Sequence, residues 1–209
     1  MALNVHCIVS QPFDENSYVV WLPEQTEAIV VDPGFEPEKI LSFVQRRGLE
    51  VVALLNTHGH ADHIAGNEAL KQAYPLAPLL IGEGDAALLR DPMLNLSALF
   101  GEPIVSPPAD RTLRDGEVVQ LAGQHWEARW IPGHSPGHVV FVGHGIVLGG
   151  DVLFRGSIGR YDFPGGSLEQ LLAGIRRHLL TLPATTEVYP GHGPRTTIGH
   201  EAATNPYLG

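Results

Sequence analysis

Short apolar runs that alternate with turn-forming residues dominate the first part of the chain. The segments LNVHCIV, SYVVWL and EAIVVD are rich in β-branched residues, and Pro, Asp, Asn and Gln separate them, which is typical of consecutive strands. In EPEKILSFVQRRG, apolar residues from Ile40 to Val44 instead recur at helical spacing, and Gly48 follows as a stop signal. The pattern therefore predicts three strands and then a helix.

The next segments alternate between strand and helix patterns. VVALLN predicts a short buried strand, and DHIAGNEALKQAY predicts a helix that opens with an aspartate. The middle segment IGEGDAALLRDPMLNLSALFG is predicted to be helical, with a break near Pro92 because proline cannot continue a helix. This alternation indicates strand–helix units in the centre of the chain.

The last part of the chain returns mainly to strands. The segments EVVQL, HWEARWI, HVVFVG, GIVLGGD and TEVYP predict strands, whereas SLEQLLAGIRRHLLTL and TTIGHEAATN predict helices. No sequence repeat or linker divides the chain, so we predict one domain over residues 1–209. Two packed sheets with helices outside would satisfy the pattern, which predicts an α/β fold with two similar halves.

Composition narrows the classes of partner. A chain of 209 residues with 44% apolar and 17% charged residues can bury one substantial core. Its formal net charge of −10 argues against nucleic acid or an anionic membrane as the main partner. The N-terminal segment lacks the pattern of a secretory signal, and no apolar run approaches the roughly 20 residues that span a bilayer. We expect a cytoplasmic protein that acts on a small molecule, and its oligomeric state stays open.

The single cysteine, Cys7, lies in a strand-like run and cannot form an internal disulfide. This fits a reducing compartment. We expect Cys7 to be a residue of the core, because free cysteine behaves as a small apolar side chain.

Three histidines and an aspartate are crowded into the six residues of HGHADH. His58 and His60 are two positions apart, so in an extended segment both imidazoles point the same way and can meet one ion. Asp62 and His63 are adjacent, and at the first turn of a helix they would project in another direction. Two differently aimed pairs predict two metal positions.

Three more residues of metal-binding type follow apolar runs later in the chain. His134 lies in IPGHSPGH, Asp151 in LGGDVLF and His192 in YPGHGP, each just past a predicted strand. Such strand-end loops can gather at one edge of the sheets. Nitrogen and oxygen ligands suit zinc, manganese or iron. Two ions roughly 3.5–4 Å apart can share and activate a water, and an aspartate that reaches both would be the bridge.

The order His-x-His-x-Asp-His, then Gly-His, Gly-Asp and Gly-His, resembles the metallo-β-lactamase fold superfamily over nearly the whole chain, from VVDPG through GHGPRTT. The resemblance implies a four-layer αββα sandwich of two mixed β-sheets with outer helices, and two divalent ions, zinc first, with iron and manganese as alternatives. The implied roles are His58, His60 and His134 on metal one, Asp62, His63 and His192 on metal two, Asp151 as the bridge, and Asp32 as a support of the histidine loop.

The resemblance also assigns catalytic and supporting residues. Asp62 and Asp151 are the predicted catalytic carboxylates, because Asp62 would orient the attacking hydroxide and Asp151 would contact both ions. His138 lies four residues after His134. We expect His138 to support the site without binding a metal, since the set of seven ligands is already complete.

Within the superfamily, GDVLFRGSIGRYDFPGG and YPGHGPRTT resemble the glyoxalase II group, especially its short bacterial relatives. This implies a hydrolase that cleaves a thioester such as S-lactoylglutathione. Arg160 and Tyr161 stand where that group has Lys-x-Tyr, so they are the predicted substrate contacts. The tyrosine expected after His192 and the basic C-terminal extension that grips glutathione are absent, which weighs against recognition of glutathione itself.

Other functions remain open on the sequence. Persulfide dioxygenases use one iron on a subset of these ligands, and their GR-x-DF element resembles Gly159 to Phe163. The same centre could open a lactone or another ester. A non-catalytic metal-binding protein is a further hypothesis, but a structural zinc site needs only about four closed ligands.

Overall fold

Two mixed β-sheets form the centre of the fold in the computed structural model, which describes residues 3–209. The first two residues of the predicted domain lie outside the described residues. In chain order the strands are β1 (Asn4–Ser10), β2 (Glu15–Trp21), β3 (Glu27–Val31), β4 (Glu50–Leu55), β5 (Leu79–Gly82), β6 (Arg111–Leu113), β7 (Glu117–Leu121), β8 (Gln124–Trp130), β9 (Val139–Gly143), β10 (Ile146–Gly150), β11 (Leu153–Phe154), β12 (Ser157–Ile158), β13 (Glu187–Pro190) and β14 (Thr196–Thr197). The α-helices are α1 (Pro37–Arg47), α2 (Ala61–Ile64), α3 (Asn67–Ala73), α4 (Leu168–Gly174) and α5 (Ile198–Thr204).

Each large sheet combines parallel and antiparallel pairs. The first sheet has the order β1-β2-β3-β4-β5-β6, with antiparallel pairs up to β3 and parallel pairs from β3 onwards. The second has the order β14-β13-β10-β9-β8-β7, in which only β10 and β13 run parallel. The strands β11 and β12 form a separate hairpin.

The main core lies between the two sheets. Along β2, Tyr18 and Val20 face this core, whereas Val19 and Trp21 face the opposite side, because successive strand residues point to opposite faces. Trp126 and Phe141 enter the same core from the second sheet. Both faces of each sheet are therefore apolar, which explains why the strands appear in the sequence as continuous apolar runs.

Helices cover the outer face of each sheet. Ile40 and Val44 of α1 pack in the outer core of the first sheet, and Leu171 of α4 packs in that of the second sheet. α1 ends where predicted, with Gly48 in the left-handed conformation at φ 62°. The predicted sandwich of two mixed sheets between helices is confirmed. Among residues 3–209, none of the helices has the length and apolar run needed to cross a bilayer.

The predicted helix over DHIAGNEALKQAY is two helices, α2 and α3, separated at Ala65 and Gly66. A Cβ on Gly66 would lie 2.7 Å from the carbonyl oxygen of Gly34, and its backbone N–H donates to the carbonyl of Pro33. The backbone at Gly66 packs here against a loop that lies 32 to 33 residues earlier in the chain, a contact that helical periodicity cannot indicate.

The prediction for the middle segment was wrong. Its first two residues belong to β5, and the rest forms turns and two short 3-10 helices, Glu83–Asp85 and Ser97–Phe100. The Asn95 side chain donates to the carbonyls of Leu88 and Ile104 and accepts from Ser97. These bonds compete with a helical ladder and hold the segment as a compact loop.

Other elements also differ from the sequence patterns. The predicted helix that begins at Ser167 is α-helical only to Gly174 and continues as a π-helix over Ile175–Leu179. Five short strands, β5, β6, β11, β12 and β14, were not predicted. Cys7 is exposed on β1, which corrects its expected place in the core.

Candidate metal centre

The seven side chains predicted to bind metal come together at one edge of the sandwich. Each lies in a loop or helix start just after a strand, namely β4, β8, β10 or β13. Five of the seven are buried, namely His58, His60, His63, His134 and Asp151. The fold thus places residues up to 134 positions apart, from His58 to His192, around one small volume.

Three histidines form the first cluster, which comprises His58, His60 and His134. Nε2 of His134 lies 3.2 Å from Nε2 of His58 and 2.9 Å from Nδ1 of His60. Ligands placed tetrahedrally at 2.0–2.1 Å from zinc lie about 3.3 Å apart, so the spacing matches that of atoms that share one ion.

The second cluster comprises Asp62, His63 and His192. Oδ2 of Asp62 lies 3.3 Å from Nε2 of His192 and 3.8 Å from Nε2 of His63. His60, with extended backbone, caps α2, and the helix begins directly after it. This change of backbone direction is why the two pairs in HGHADH point to different clusters.

Asp151 lies between the two clusters. Its Oδ2 is 3.5 Å from Nε2 of His134 in the first cluster and 3.6 Å from Nε2 of His192 in the second. Its Oδ1 is 3.5 Å from Nε2 of His63. One carboxylate therefore faces both sets of ligand atoms.

Two buried atoms in the centre fit a metal ion. Nε2 of His63 and Oδ1 of Asp151 face each other, and neither has a hydrogen-bond partner among the described residues. A buried polar atom without a partner is costly unless another group, such as a cation, satisfies it. A Cβ on Gly191 would lie 2.3 Å from Oδ1 of Asp151, so glycine keeps this space free. The donor set thus fits divalent metal.

Protonation states in the first cluster also suit metal binding. Burial, together with neighbouring imidazoles, lowers the pKa of His60 to about 3 and that of His134 to about 4. Burial likewise holds the pKa of His58 well below its usual value. All three rings are neutral near pH 7, which is the form that binds metal.

Carboxylates dominate the electrostatics of the second cluster. Burial opposes a charge on His63, but the carboxylates of Asp62 and Asp151 outweigh it and raise its pKa. Burial also opposes the charge on Asp62, yet His63 and His192 lower its pKa, so Asp62 stays ionised. The carboxylates of Asp62 and Asp151 favour a positive charge in this cluster. A bound divalent cation can supply that charge in place of the proton on His63.

Hydrogen bonds behind the histidines turn their free nitrogens toward the centre. Asp32 accepts from the backbone and hydroxyl of Thr57, both at 2.7 Å, and from Nδ1 of His63 at 3.2 Å. The Thr57 hydroxyl accepts from Nδ1 of His58, and the carbonyl of Arg160 accepts from Nδ1 of His134 at 2.8 Å. In each ring Nε2 is then left with its lone pair for a metal.

His138 lies behind the centre. Its ring is fully buried and stacks on that of His58, with centroids 4.8 Å apart. Nε2 of His138 accepts from the backbone N–H of Asp151 at 3.0 Å. This bond occupies its lone pair and fixes the backbone of the residue between the clusters, as expected for a support rather than a ligand.

The polar start of β2 also holds the centre, and sequence analysis missed it. Asn16 donates from its backbone to the carbonyl of Gly191 and from its side chain to those of Pro190 and Gly193. The Tyr18 hydroxyl donates to the carbonyl of Pro190 at 2.6 Å. These bonds fix the loop that carries His192. The signal was three consecutive polar residues, ENS, at the start of an apolar strand.

A second missed residue is Asp85, whose buried carboxylate joins two ligand loops. It accepts from the backbone of Gly59 at 3.0 Å, from the hydroxyl of Ser135 at 2.6 Å and from the backbone of Gly137 at 2.6 Å. Burial raises the pKa of this carboxyl group. Asp85 thereby ties the loop of His58 to that of His134.

The variant Asp85→Ala is expected to lower the free energy of unfolding by about 3 kcal/mol, because three buried donors lose their acceptor. The measurement is urea denaturation followed by circular dichroism. Asp91→Ala is the matched control, since Asp91 also accepts backbone hydrogen bonds but lies exposed at the surface. Equal effects of both variants would contradict the role of burial at Asp85.

The two predicted substrate contacts, Arg160 and Tyr161, are not among the residues that line the pocket beside the metal centre. The guanidinium of Arg160 forms two 2.9 Å bonds with the carboxylate of Asp162 and lies 4.1 Å from the ring centre of Phe163. Tyr161 is exposed. Only the backbone carbonyl of Arg160 contacts the centre, through His134.

Comparison with known proteins agrees with this geometry. The family model described as the metallo-beta-lactamase superfamily matches residues 11–192, a range that includes both clusters and Asp151. The chain belongs to the metallo-beta-lactamase superfamily. It is therefore a member of a superfamily of metallo-hydrolases, and the two clusters are groups of His and Asp side chains that could hold metal ions.

Individual relatives match nearly the whole chain. Hydroxyacylglutathione hydrolase GloC of Haemophilus influenzae is 36% identical, over 99% of this chain and 98% of its own length. The crystal structure of BLEG-1 B3 metallo-beta-lactamase has a TM-score of 0.94 and 37% identity, over 98% and 99% of the two chains. That of TTHA1623 in a di-iron-bound form has a TM-score of 0.85 and 41% identity, over 98% and 100%.

Proposed function

We propose that this protein is a metal-dependent thioester hydrolase with a dinuclear centre. The observation that carries the proposal is the position of Asp151, whose carboxylate faces ligand atoms of both clusters at 3.5–3.6 Å. His58, His60 and His134 would hold one ion, and Asp62, His63 and His192 the other. When bound, two ions would supply Lewis acidity and a water of lowered pKa.

The residues of the chain would orient the reactants. Asp62 stays ionised, because His63 and His192 lower its pKa against the effect of burial, so its carboxylate can accept a hydrogen bond from the attacking water or hydroxide. Asp32 and Thr57 would hold the ligand rings of His63 and His58 in one orientation, and His138 would fix the backbone of Asp151.

The absence of a separate proton donor favours a thioester. The titratable side chains that line the pocket in the described residues are His60, Asp62, His134 and Asp151, and all belong to the clusters. An alkoxide or amide leaving group needs a proton from a general acid, whereas a thiolate, whose conjugate acid has a pKa near 8.5, leaves without one. A thioester therefore suits this pocket better than a lactone or an amide.

The identity of the thiol carrier is part of the proposal. The name of the GloC relative supports a hydroxyacyl thioester of glutathione as one substrate. Arg160 and Tyr161 stay predicted substrate contacts, and Arg160 would have to exchange its bond with Asp162 for a carboxylate of the carrier. Because that exchange has a cost, we expect S-lactoylglutathione to be hydrolysed without a strong preference for its glutathione part.

Hydrolysis of S-lactoylglutathione and of thioesters of N-acetylcysteamine by the purified protein, loaded with zinc, manganese or iron, tests this function. We expect turnover that falls by at least about 100-fold in His58→Ala, because one cluster loses a ligand. His125→Ala is the control, since His125 is exposed on β8. No turnover above that of His58→Ala with any metal would refute the proposal.

The metal content of the same preparation separates the proposal from a persulfide dioxygenase. A dinuclear hydrolase should contain two ions per chain and consume no oxygen. One iron per chain, with oxygen consumption on glutathione persulfide, would support the dioxygenase instead. The completeness of both clusters favours the dinuclear hydrolase.

A further inference from the structure

Apolar side chains form the walls of the pocket above the metal centre. Beside the cluster residues, the lining includes Phe13, Leu96, Phe100 and Phe163. The ring of Phe163 lies 5.3 Å from that of His60 and 5.9 Å from that of His134, measured between centroids. An apolar group bonded to a reacting atom at the centre would therefore meet these rings directly.

The segment 91–105 supplies one wall and is unusually apolar for a surface loop. Phe100 is 62% exposed, and its ring forms an edge-to-face pair with that of Phe13, with centroids 5.2 Å apart. Large exposed apolar side chains beside a pocket indicate a surface that a ligand covers. Leu99, the neighbour of Phe100, is 66% exposed but does not line the pocket.

The pocket offers little to a polar ligand outside the metal centre. No Lys or Arg is among its lining residues within the described chain. Asn95 is the remaining polar residue, but its amide hydrogens are donated to Leu88 and Ile104, and its oxygen accepts from Ser97. A polar substituent buried here would lose its hydrogen bonds to water without replacement.

We infer that this pocket binds a short aliphatic acyl group of the thioester substrate, an inference that rests on the proposed thioester hydrolysis. The acyl chain is the occupant because thiol carriers such as glutathione bear amides and carboxylates close to the sulfur, which an apolar wall does not satisfy. An acyl chain begins at the reacting carbonyl carbon and can be apolar from its first atom.

The size of the pocket limits that chain. Its volume is about 80 Å³. An apolar cavity of about 150 Å³ accepts benzene, so half of that volume suits a chain of a few carbons better than an aromatic ring. We therefore expect the pocket to favour a butanoyl group over an acetyl group, which has fewer methylene groups to place against the apolar walls, and over the bulkier benzoyl group.

A series of acyl thioesters on one thiol tests the inference. Acetyl, butanoyl, lactoyl and benzoyl thioesters of N-acetylcysteamine share their leaving group, so differences in kcat/KM report the acyl group alone. We expect kcat/KM to rise about tenfold from acetyl to butanoyl, as two methylene groups leave water. Lactoyl and benzoyl thioesters should both fall below butanoyl.

In the variant Phe100→Ala, kcat/KM for the butanoyl thioester should exceed that for the acetyl thioester only about twofold, since an apolar wall of the pocket is removed. Phe100→Leu, which keeps an apolar side chain, should retain most of the ratio. Leu99→Ala is the control and should keep the full ratio, because Leu99 is not among the residues that line the pocket.

Two outcomes would overturn the inference and leave thioester hydrolysis in place. These are equal kcat/KM for acetyl and butanoyl thioesters in the unmodified protein, or an undiminished ratio in Phe100→Ala with unchanged metal content. A third outcome, no hydrolysis of any thioester, would overturn the proposed function and this inference together.

Discussion

The variant Asp151→Asn is expected to lose activity by on the order of 10³-fold, with a loss of metal, because one side chain serves both clusters. Its two carboxylate oxygens lie 3.5–3.6 Å from ring nitrogens of His63, His134 and His192. Asparagine has nearly the same shape, but one of its two terminal atoms is an NH₂ group without a lone pair to share. A carboxamide therefore offers the centre one acceptor atom in place of two, and it carries no negative charge.

The fold itself should tolerate this change. Burial opposes the charge on the carboxyl group and raises the pKa of Asp151, so a neutral amide avoids that cost when no cation is bound. We expect urea denaturation of the metal-free variant to resemble that of the metal-free parent protein. The loss of function would then report the centre and not unfolding.

Elemental analysis and kcat on the best thioester are the measurements for Asp151→Asn. Asp115→Asn is the control, because Asp115 accepts a backbone hydrogen bond from Trp130 at an exposed site. If Asp151→Asn kept two ions per chain and more than about a tenth of kcat, the carboxylate would not be the shared ligand.

Local patterns predicted the elements whose stability depends on their own residues. The strands β3, β4 and β10 are largely buried on both faces, so each contains a continuous apolar run. The end of α1 follows from the left-handed backbone that Gly48 adopts at little cost. Four of the seven proposed ligands were recognised in the same way, because the spacing of His58, His60, Asp62 and His63 along HGHADH is itself local.

Contacts between segments that are distant in the chain could not be predicted from local sequence patterns. The helix over DHIAGNEALKQAY is broken because Gly66 packs against the backbone of Pro33 and Gly34. Asp85 lies in a segment predicted to be helical, and its role depends on Gly59 and Ser135, which are 26 and 50 positions away. A buried aspartate has no distinctive spacing of its own, so only the fold shows which donors it meets.

The variant Gly191→Ala is expected to lower kcat by about 100-fold or more, since a displacement of about 1 Å in a catalytic group can have that effect. A Cβ at this position would lie 2.3 Å from Oδ1 of Asp151 and 2.6 Å from Cε1 of His63. Both distances are far below van der Waals contact. The added methyl group would therefore push the carboxylate of Asp151 and the ring of His63 apart.

The backbone cannot move away to relieve this clash. The N–H of Gly191 donates to the carbonyl of Gly150 at 2.8 Å, and its carbonyl accepts from the N–H of Asn16 at 2.7 Å. These bonds hold the loop against the strand on either side. The ligand side chains must shift instead, and the binding of metal by the second cluster should weaken with them.

Gly149→Ala is the matched control for this steric effect. Gly149 is also buried and lies in β10. The nearest atom to a Cβ at this position would be Cγ1 of Val188 at 3.4 Å, an ordinary van der Waals contact. The measurements are metal content, kcat and urea denaturation for both variants. Both variants add one methyl group. If only Gly191→Ala lost metal and kcat, the cause would be the contact of that methyl group with Asp151 and His63. If both variants kept their metal and their kcat, Gly191 would not be packed closely against Asp151 and His63.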